Sequence, residues 1–321
     1  MPAEWARHAR TWMCWPCRRE IWGEGLARAK AATRAVAETV ARYEPVMMAA
    51  RPEDVEEAKA APGVEVWPVA LDDSWARDIG PTFVKGSAGR AAVTWRFNAW
   101  GGKYRPFEED ARFAGRVAER QGMQLYRAPL VCEGGAIHAD GQGTLLTTEQ
   151  CLLNPNRNPG LNKDAVTTIL CDHTGATRVI WLGSGFSDSE TDGHVDNIAC
   201  FAAPGKAIVG VPDSRAHPDH APVMEAIRRL KAEAIEVVEL VQPKILRRDG
   251  RGRLLQASYV NFYLCNDGLV MPAFDDPHDG RARATLADCF PDRDISVVPA
   301  LDIVAGGGGI HCITQQEPEA T

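Results

Sequence analysis

Apolar residues along this chain fall into short runs separated by amphipathic stretches, and the alternation repeats. From Glu24 to Tyr43 the apolar positions Leu26, Ala29, Val36, Val40 and Tyr43 keep helical spacing until Pro45 ends them. Val46–Ala50 and Val64–Val69 follow as compact apolar runs of strand length, with a short helix expected from Pro52 to Ala61 between them. The pattern then predicts strands at Thr82–Val84 and Ala91–Phe97, a helix at Phe107–Gln121, and strands at Gln124–Val131 and Thr144–Thr148. A helix at Asn162–Cys171 and strands at Arg178–Leu182, Val195–Phe201 and Ala207–Val211 come next. The last third predicts helices at Ala221–Ala234 and Arg281–Cys289, and strands at Ile235–Val241, Tyr259–Asn266, Leu269–Ala273, Ile295–Pro299 and Gly309–Gln315. Helices recur about every 50 to 60 residues, the mark of a repeated architecture. No low-complexity or Pro/Ser-rich linker interrupts the series, so residues 1–321 are expected to form one domain.

Composition narrows the class. With 45% hydrophobic and 25% charged residues the chain has the make-up of a globular protein, and no apolar run approaches the roughly 18 residues needed to cross a bilayer. The first twenty residues mix Trp5, Trp12 and Trp15 with Arg7, Arg10, Arg18 and Arg19 and lack the apolar core of a secretion signal, which points to the cytoplasm. Nine cysteines, an odd number in a long chain, are expected as free thiols. Cys14-Trp15-Pro16-Cys17 has the spacing of half a zinc site, but no second pair accompanies it, so no metal is expected. A formal charge of −7 argues against a nucleic-acid surface and suits a small cationic ligand. The Arg247–Arg253 stretch, punctuated by glycine, is expected as a solvated hairpin tip.

Candidate chemistry is concentrated in four places. Ala305-Gly306-Gly307-Gly308-Gly309 leads into Ile310-His311-Cys312, where glycines leave room for a ligand and a strand would put Cys312 on one face and His311 on the other. Gly193-His194-Val195-Asp196-Asn197 would, as a strand, present a base and a carboxylate together. Asp72-Asp73-Ser74-Trp75-Ala76-Arg77-Asp78 must be a turn, given Gly80-Pro81, and brings carboxylates beside an indole; a capped, solvated loop would account for it too. Cys132-Glu133-Gly134-Gly135 follows an apolar strand, and an ordinary strand-end turn explains it equally well. A Cys-His pair can attack an amide, but surrounding carboxylates would oppose the oxyanion that develops. A guanidinium reverses that logic, because it accepts bidentate carboxylates and its positive charge favours a thiolate nearby. The set therefore suits guanidine or amidine chemistry better than acyl transfer.

At these residues the chain resembles a known family. Met1-Pro2-Ala3-Glu4-Trp5 with Thr11-Trp12-Met13, Trp75-Ala76-Arg77-Asp78, Glu133-Gly134-Gly135, Asn154-Pro155-Asn156-Arg157-Asn158-Pro159, Gly193–Asn197, Ala257–Tyr263 and Gly306–Gln316 together look like the agmatine deiminases of the bacterial peptidyl-arginine deiminase family. The resemblance implies an α/β pentein propeller, five pseudo-symmetric ββαβ units around a central channel, and no cofactor. It implies Cys312 as nucleophile, His194 as acid and base, and Asp78 and Asp196 as guanidinium-binding carboxylates, with Trp75, Glu133, Asn261 and Gly309 as further site residues. The chain departs from the family at Cys17, where histidine is usual. The expected reaction is hydrolysis of agmatine to N-carbamoylputrescine and ammonia. Peptidyl-arginine or free arginine as substrate, amidino transfer to an amine, and an inactive binding module are the alternatives. For a substrate with a terminal ammonium, the acidic stretch Asp188-Ser189-Glu190-Thr191-Asp192 offers Glu190 as a contact, although a solvated loop would look the same. The expected partner is a small guanidino cation, with neither nucleic acid nor membrane, and self-association is left open.

Overall fold

The computed structural model describes residues 1–59, 62–87, 89–187, 190–249 and 252–320. Among the described residues, sixteen strands form five separate sheets. Strands β1 (His8–Cys14), β2 (Val46–Ala50) and β3 (Val64–Pro68) belong to the first sheet, and β4 (Thr82–Gly86), β5 (Gly89–Arg96) and β6 (Gln124–Val131) form the second. The third contains β7 (His138–Ala139), β8 (Thr144–Thr148) and β9 (Arg178–Leu182), and the fourth β10 (Ala199–Ala203), β11 (Lys206–Val211) and β12 (Glu236–Val241). The fifth is built of β13 (Tyr263–Cys265), β14 (Gly268–Ala273) and β15 (Asp294–Pro299). Strand β16 (Thr314–Pro318) returns to the first sheet, pairing antiparallel with β1.

Every sheet repeats one motif. An antiparallel pair is followed by a helix that crosses back to add a parallel third strand, as β4-β5 is followed by Glu108–Arg120 and then β6. Lys163–Thr174, His220–Ala232 and Asp279–Cys289 play that part in the next three sheets. In the first sheet the pair is β16-β1, the helix is Leu26–Val40, and β3 is an added edge strand. Five ββαβ units result, the leading strand of the first being supplied by the far end of the chain.

The helices obey ordinary amphipathic rules. Glu108–Arg120 buries Asp110, Phe113, Ala114, Val117 and Ala118, the i, i+3, i+4 stripe of one face, and carries three acidic residues in its first turn and Arg120 in its last. Lys163–Thr174 starts on Asn162, whose side chain accepts the Ala165 amide, and stops at Gly175, left-handed at φ 75°. Strand β2 is buried along its whole length, so it reads as a continuous apolar run rather than an alternation.

Three expected strands start late where the site lies, among them Tyr259–Asn266, of which only Tyr263–Cys265 is strand, leaving Asn261 outside it. Val195–Asn197 is a single 3-10 turn preceded by His194, and β10 begins only at Ala199. Residues 305–313 turn after the short helix Leu301–Val304, and β16 begins at Thr314. The apolar residues Val195, Ile198, Ile310 and Ile313 are all buried, so these segments imitate a strand in composition while packing on every side. Strand β1 does not stand out in the hydrophobic pattern because Arg10 interrupts it. Arg10 remains tolerable in it because Glu317 of the neighbouring β16 lies 3.5 Å away. Among the described residues no helix is long and apolar enough to cross a membrane.

Candidate active site

Each of the five sheets is entered through a connector, and each connector delivers side chains to one buried locus. Trp75 and Asp78 lie just before β4, Glu133 before β7, His194 and Asp196 before β10, Asn261 before β13 and Cys312 before β16. All seven side chains are buried.

Asp78 sits on the short helix Ala76–Ile79. The loop ahead of it is held by Asp110, whose carboxylate accepts the backbone amides of Asp72 and Asp73 at 2.8 and 3.1 Å. Burial, reinforced by the neighbouring Asp73, pushes Asp110 up to about 7. Asp72 and Asp73 thus act in the scaffold: Asp72 caps the helix at Glu109, and Asp73 lies 3.4 Å from Arg18. Asp78 receives the Gly135 amide on Oδ1 at 3.0 Å and the Trp100 indole on Oδ2 at 2.8 Å. Burial and the nearby Asp196 and Glu133 still raise its pKa, though His194 opposes them.

His194 stands between carboxylates, Nδ1 at 3.8 Å from Asp78 and Nε2 at 3.5 Å from Glu133. Neither ring nitrogen has a hydrogen-bond partner among the described residues. Burial disfavours its charge, but Asp78, Cys151 and Glu133 outweigh that penalty and hold the imidazole well above its usual value. Glu133 is fixed from behind by Arg157, whose Nε donates to Oε1 at 2.7 Å. Arg157 in turn donates to Asp192 at 2.8 Å and to the Thr191 carbonyl at 3.1 Å. Burial would raise Glu133, yet Arg157 and His194 bring it below the ordinary range.

Cys312 lies with Sγ 3.6 Å from Asp196 Oδ2 and 3.4 Å from Asn261 Nδ2. Burial, then Asp196 and Asp78, push its thiol well above the usual value. The glycines before it are needed for close approach: a Cβ on Gly308 would stand 2.5 Å from the Trp75 ring, and one on Gly309 2.3 Å from Asn261 Oδ1. Gly309 therefore packs against Asn261 rather than on the wall of the cavity.

The sequence reading turned His311 away from this centre, and the structure corrects it. With no strand here, His311 bridges Asp196 Oδ2 through Nδ1 and Glu4 Oε1 through Nε2, both at 2.9 Å. Glu4 also meets Arg77 at 3.2 Å and His138 at 3.5 Å. Arg77 is thus bound into this buried chain and is not free to meet a substrate carboxylate. Sequence reasoning missed Glu4, His311 and His138 because their partners are far along the chain. It quoted Arg157 without assigning it a task, and the only available sign was its place inside the Asn154–Pro159 motif.

A cavity opens onto this locus, walled by Trp75, Trp100, Tyr104 and Gly306–Gly308 and lined also by Asp78, Cys312 and Glu190. Trp75 stacks on Trp22 with ring centres 5.6 Å apart. Glu190 bonds the Tyr104 hydroxyl and, at 2.5 Å, the Arg253 guanidinium. Lys103 donates to the Glu190 carbonyl at 2.5 Å and pairs with Asp192 at 2.9 Å, so it too is engaged. Asp188 and Ser189 lie outside the described residues, as do Gly250 and Arg251 of the expected hairpin tip. What is described of that tip is an antiparallel bridge from Arg248 to Leu254, and Arg253 leans onto Glu190 rather than into solvent alone. All nine cysteines are free.

Five ββαβ units with a thiol, an imidazole and carboxylates at their meeting point constitute the pentein architecture of guanidino-group-modifying enzymes. The chain belongs to the Porphyromonas-type peptidyl-arginine deiminase family, which it matches over residues 1–318. An agmatine deiminase of Stutzerimonas stutzeri is 42% identical over 350 aligned positions, covering 99% of this chain and 95% of that one. The solved agmatine deiminase of Enterococcus faecalis superposes with a TM-score of 0.96 at 34% identity, covering 100% of this chain and 96% of that one. A cysteine-to-serine variant of the C. jejuni agmatine deiminase, solved with substrate bound, is similar at a TM-score of 0.93 and 27% identity, covering 100% of this chain and 96% of that one.

Proposed function

We propose that this chain is a hydrolase that converts agmatine and water to N-carbamoylputrescine and ammonia, and that residues 1–321 act as one catalytic unit. The observation that carries the reading is an aromatic-walled cavity lined by the Cys312 thiol and by two carboxylates, Asp78 and Glu190. A dication with a guanidinium at one end and an ammonium at the other suits a cavity with two acidic groups. Glu190 is shared with Arg253, so the preference for agmatine over free arginine rests on the similarity to agmatine deiminases. The all-free cysteines suit a cytoplasmic setting.

In this mechanism Asp78 and Asp196 bind the guanidinium, and its positive charge offsets the two carboxylates that otherwise oppose ionisation of Cys312. The Cys312 thiolate adds to the central carbon. His194, charged in its nest of carboxylates, gives a proton to the departing nitrogen as the C–N bond breaks and ammonia leaves. An amidino-thioether remains on Cys312. His194, now neutral, takes a proton from water as its oxygen adds to the same carbon, and cleavage of the C–S bond releases the ureido product while the hydroxyl proton passes to the departing sulfur and restores the Cys312 thiol. Glu133 holds His194 in place, Asn261 steadies the sulfur, and Trp75 walls the methylene chain.

The test is ammonia release on agmatine, free arginine and an arginine-containing peptide, compared with Cys312→Ser. The highest kcat/KM is expected on agmatine, with turnover in Cys312→Ser reduced by several orders of magnitude, as removal of a nucleophile commonly does. Faster turnover of arginine or peptide would overturn the substrate, and a variant retaining more than about a tenth of the rate would overturn the covalent route.

A further inference from the structure

Cys151 makes and breaks no bond in that chemistry, yet it lies against two residues that take part in it and helps keep His194 charged. It is carried by the short helix Glu149–Leu152, whose preceding Thr148 accepts the Cys151 amide at 3.2 Å and donates to the Gly193 carbonyl at 2.6 Å, tying this segment to the one that bears His194. Cys151 Sγ is 4.0 Å from Glu133 Oε2, and the same oxygen is 3.5 Å from His194 Nε2. One donor atom from each of the three residues falls within 4.8 Å of the others, and all three side chains are buried.

We infer that Glu133, Cys151 and His194 form a site for a borderline-soft divalent cation of the zinc class, and that occupation of this site inhibits the enzyme. Three observations carry the inference. The first is distance: zinc holds nitrogen at about 2.0 Å, sulfur at about 2.3 Å and carboxylate oxygen at about 2.0 to 2.2 Å, so tetrahedral ligand atoms stand roughly 3.3 to 3.6 Å apart. The observed 3.5 and 4.0 Å separations approach that with small side-chain shifts. The second is vacancy of the donor: His194 is buried with both nitrogens unpartnered among the described residues. The third is orientation, because Arg157 occupies Glu133 Oε1 at 2.7 Å and leaves Oε2 turned toward Cys151 and His194.

Charge agrees with geometry. A thiolate and a carboxylate neutralise a divalent ion, and the thiol and imidazolium protons pass to solvent as it binds. Water completes the tetrahedron. The bound ion would take the His194 and Glu133 atoms that the reaction described above requires, so the inhibitory consequence rests on that reading while the binding itself does not.

The experiment uses the full chain and cobalt(II) as a spectroscopic stand-in for zinc. Wild type and Cys312→Ser are both expected to give a thiolate-to-cobalt absorption band at one ion per chain that zinc displaces, whereas Cys151→Ala and Cys151→Ser should lack it. Folding of each variant is checked by its melting transition, and either Cys151 variant suffices. In parallel, zinc inhibition of agmatine hydrolysis should weaken at least about tenfold when Cys151 is replaced, the least expected for loss of a direct ligand. Retention of the band without Cys151, or its loss in Cys312→Ser, would overturn the site. Unchanged zinc inhibition in a folded Cys151 variant would overturn the inhibitory role. If the chain proves inactive on agmatine, the cobalt measurement still decides the site.

Discussion

Gly135→Ala offers a strict test of the candidate site, because it adds one methyl group and alters no charge. Gly135 lies in the 3-10 turn Gly134–Ala136 and does not occupy the left-handed region, so alanine meets no backbone penalty there. Its Cβ would stand 2.7 Å from His194 Nδ1, 2.8 Å from Asp196 Oδ2 and 3.0 Å from Asp78 Oδ1. To reach the 3.4 Å at which ordinary contact begins, these atoms would have to retreat by about 0.7, 0.6 and 0.4 Å. None is the free end of a flexible chain. Asp78 is held by Trp100, and Asp196 by His311. Overpacking of this kind costs about 1 to 3 kcal/mol of stability, and a 1 Å misplacement at a reacting centre can cost about 100-fold in rate. The expected result is a folded protein with kcat/KM on agmatine lowered about 10- to 100-fold. Steady-state ammonia release and a thermal melt measure both effects, with Gly280→Ala as the control because a Cβ there meets nothing within 4 Å. If Gly135→Ala stayed within about threefold of wild type while Gly280→Ala behaved normally, the convergence of these three residues on substrate would be refuted.

Asp78→Asn and Asp196→Asn each preserve shape while removing a buried charge opposite the substrate cation, and each should cost about 2 to 5 kcal/mol in kcat/KM with folding retained. Near-normal kinetics in both amides would move guanidinium binding elsewhere. In the free protein the Cys312 thiol is raised well above its ordinary 9.0, so the neutral form dominates at neutral pH and the thiolate fraction climbs about tenfold per pH unit. Alkylation of Cys312 by iodoacetamide, followed by peptide mass spectrometry, should therefore rise steadily to pH 9, and a plateau near neutrality would contradict the assigned environment.

Much of the scaffold is legible in the sequence. Val46–Ala50, Gln124–Val131, Thr144–Thr148 and Arg178–Leu182 form strands with the expected ends. Such runs are buried on at least one face and bounded by polar turns, which periodicity detects well. The connectors are a different matter. Gly193–Asn197 and Gly306–Ile313 carry apolar residues because they lie at the centre of the molecule, so composition there reports burial without reporting pleat. The residue types at the site were accessible for the same reason that their geometry was not: carboxylates, His and Cys are conspicuous in an apolar context, but nothing local says that Glu4 will meet His311, 307 positions away. Arg253 on Glu190 is likewise a contact between loops, invisible to any local pattern.

The pairing of β1 with β16 bears on how the ring comes into being. As the chain is synthesised, β1 must wait for a partner encoded about 300 residues later, and the loop it closes carries an entropic cost that grows only logarithmically with length. The other four sheets are local and can assemble first. The same closure docks Glu4 on His311 and seats Cys312, just ahead of β16, beside Asp196. The Arg7 carbonyl accepts the Glu319 amide at 2.8 Å, so the two strands stay joined just beyond their paired register. The seam of the ring is thus also where its chemistry meets, since Glu4 lies just ahead of β1 and Cys312 just ahead of β16.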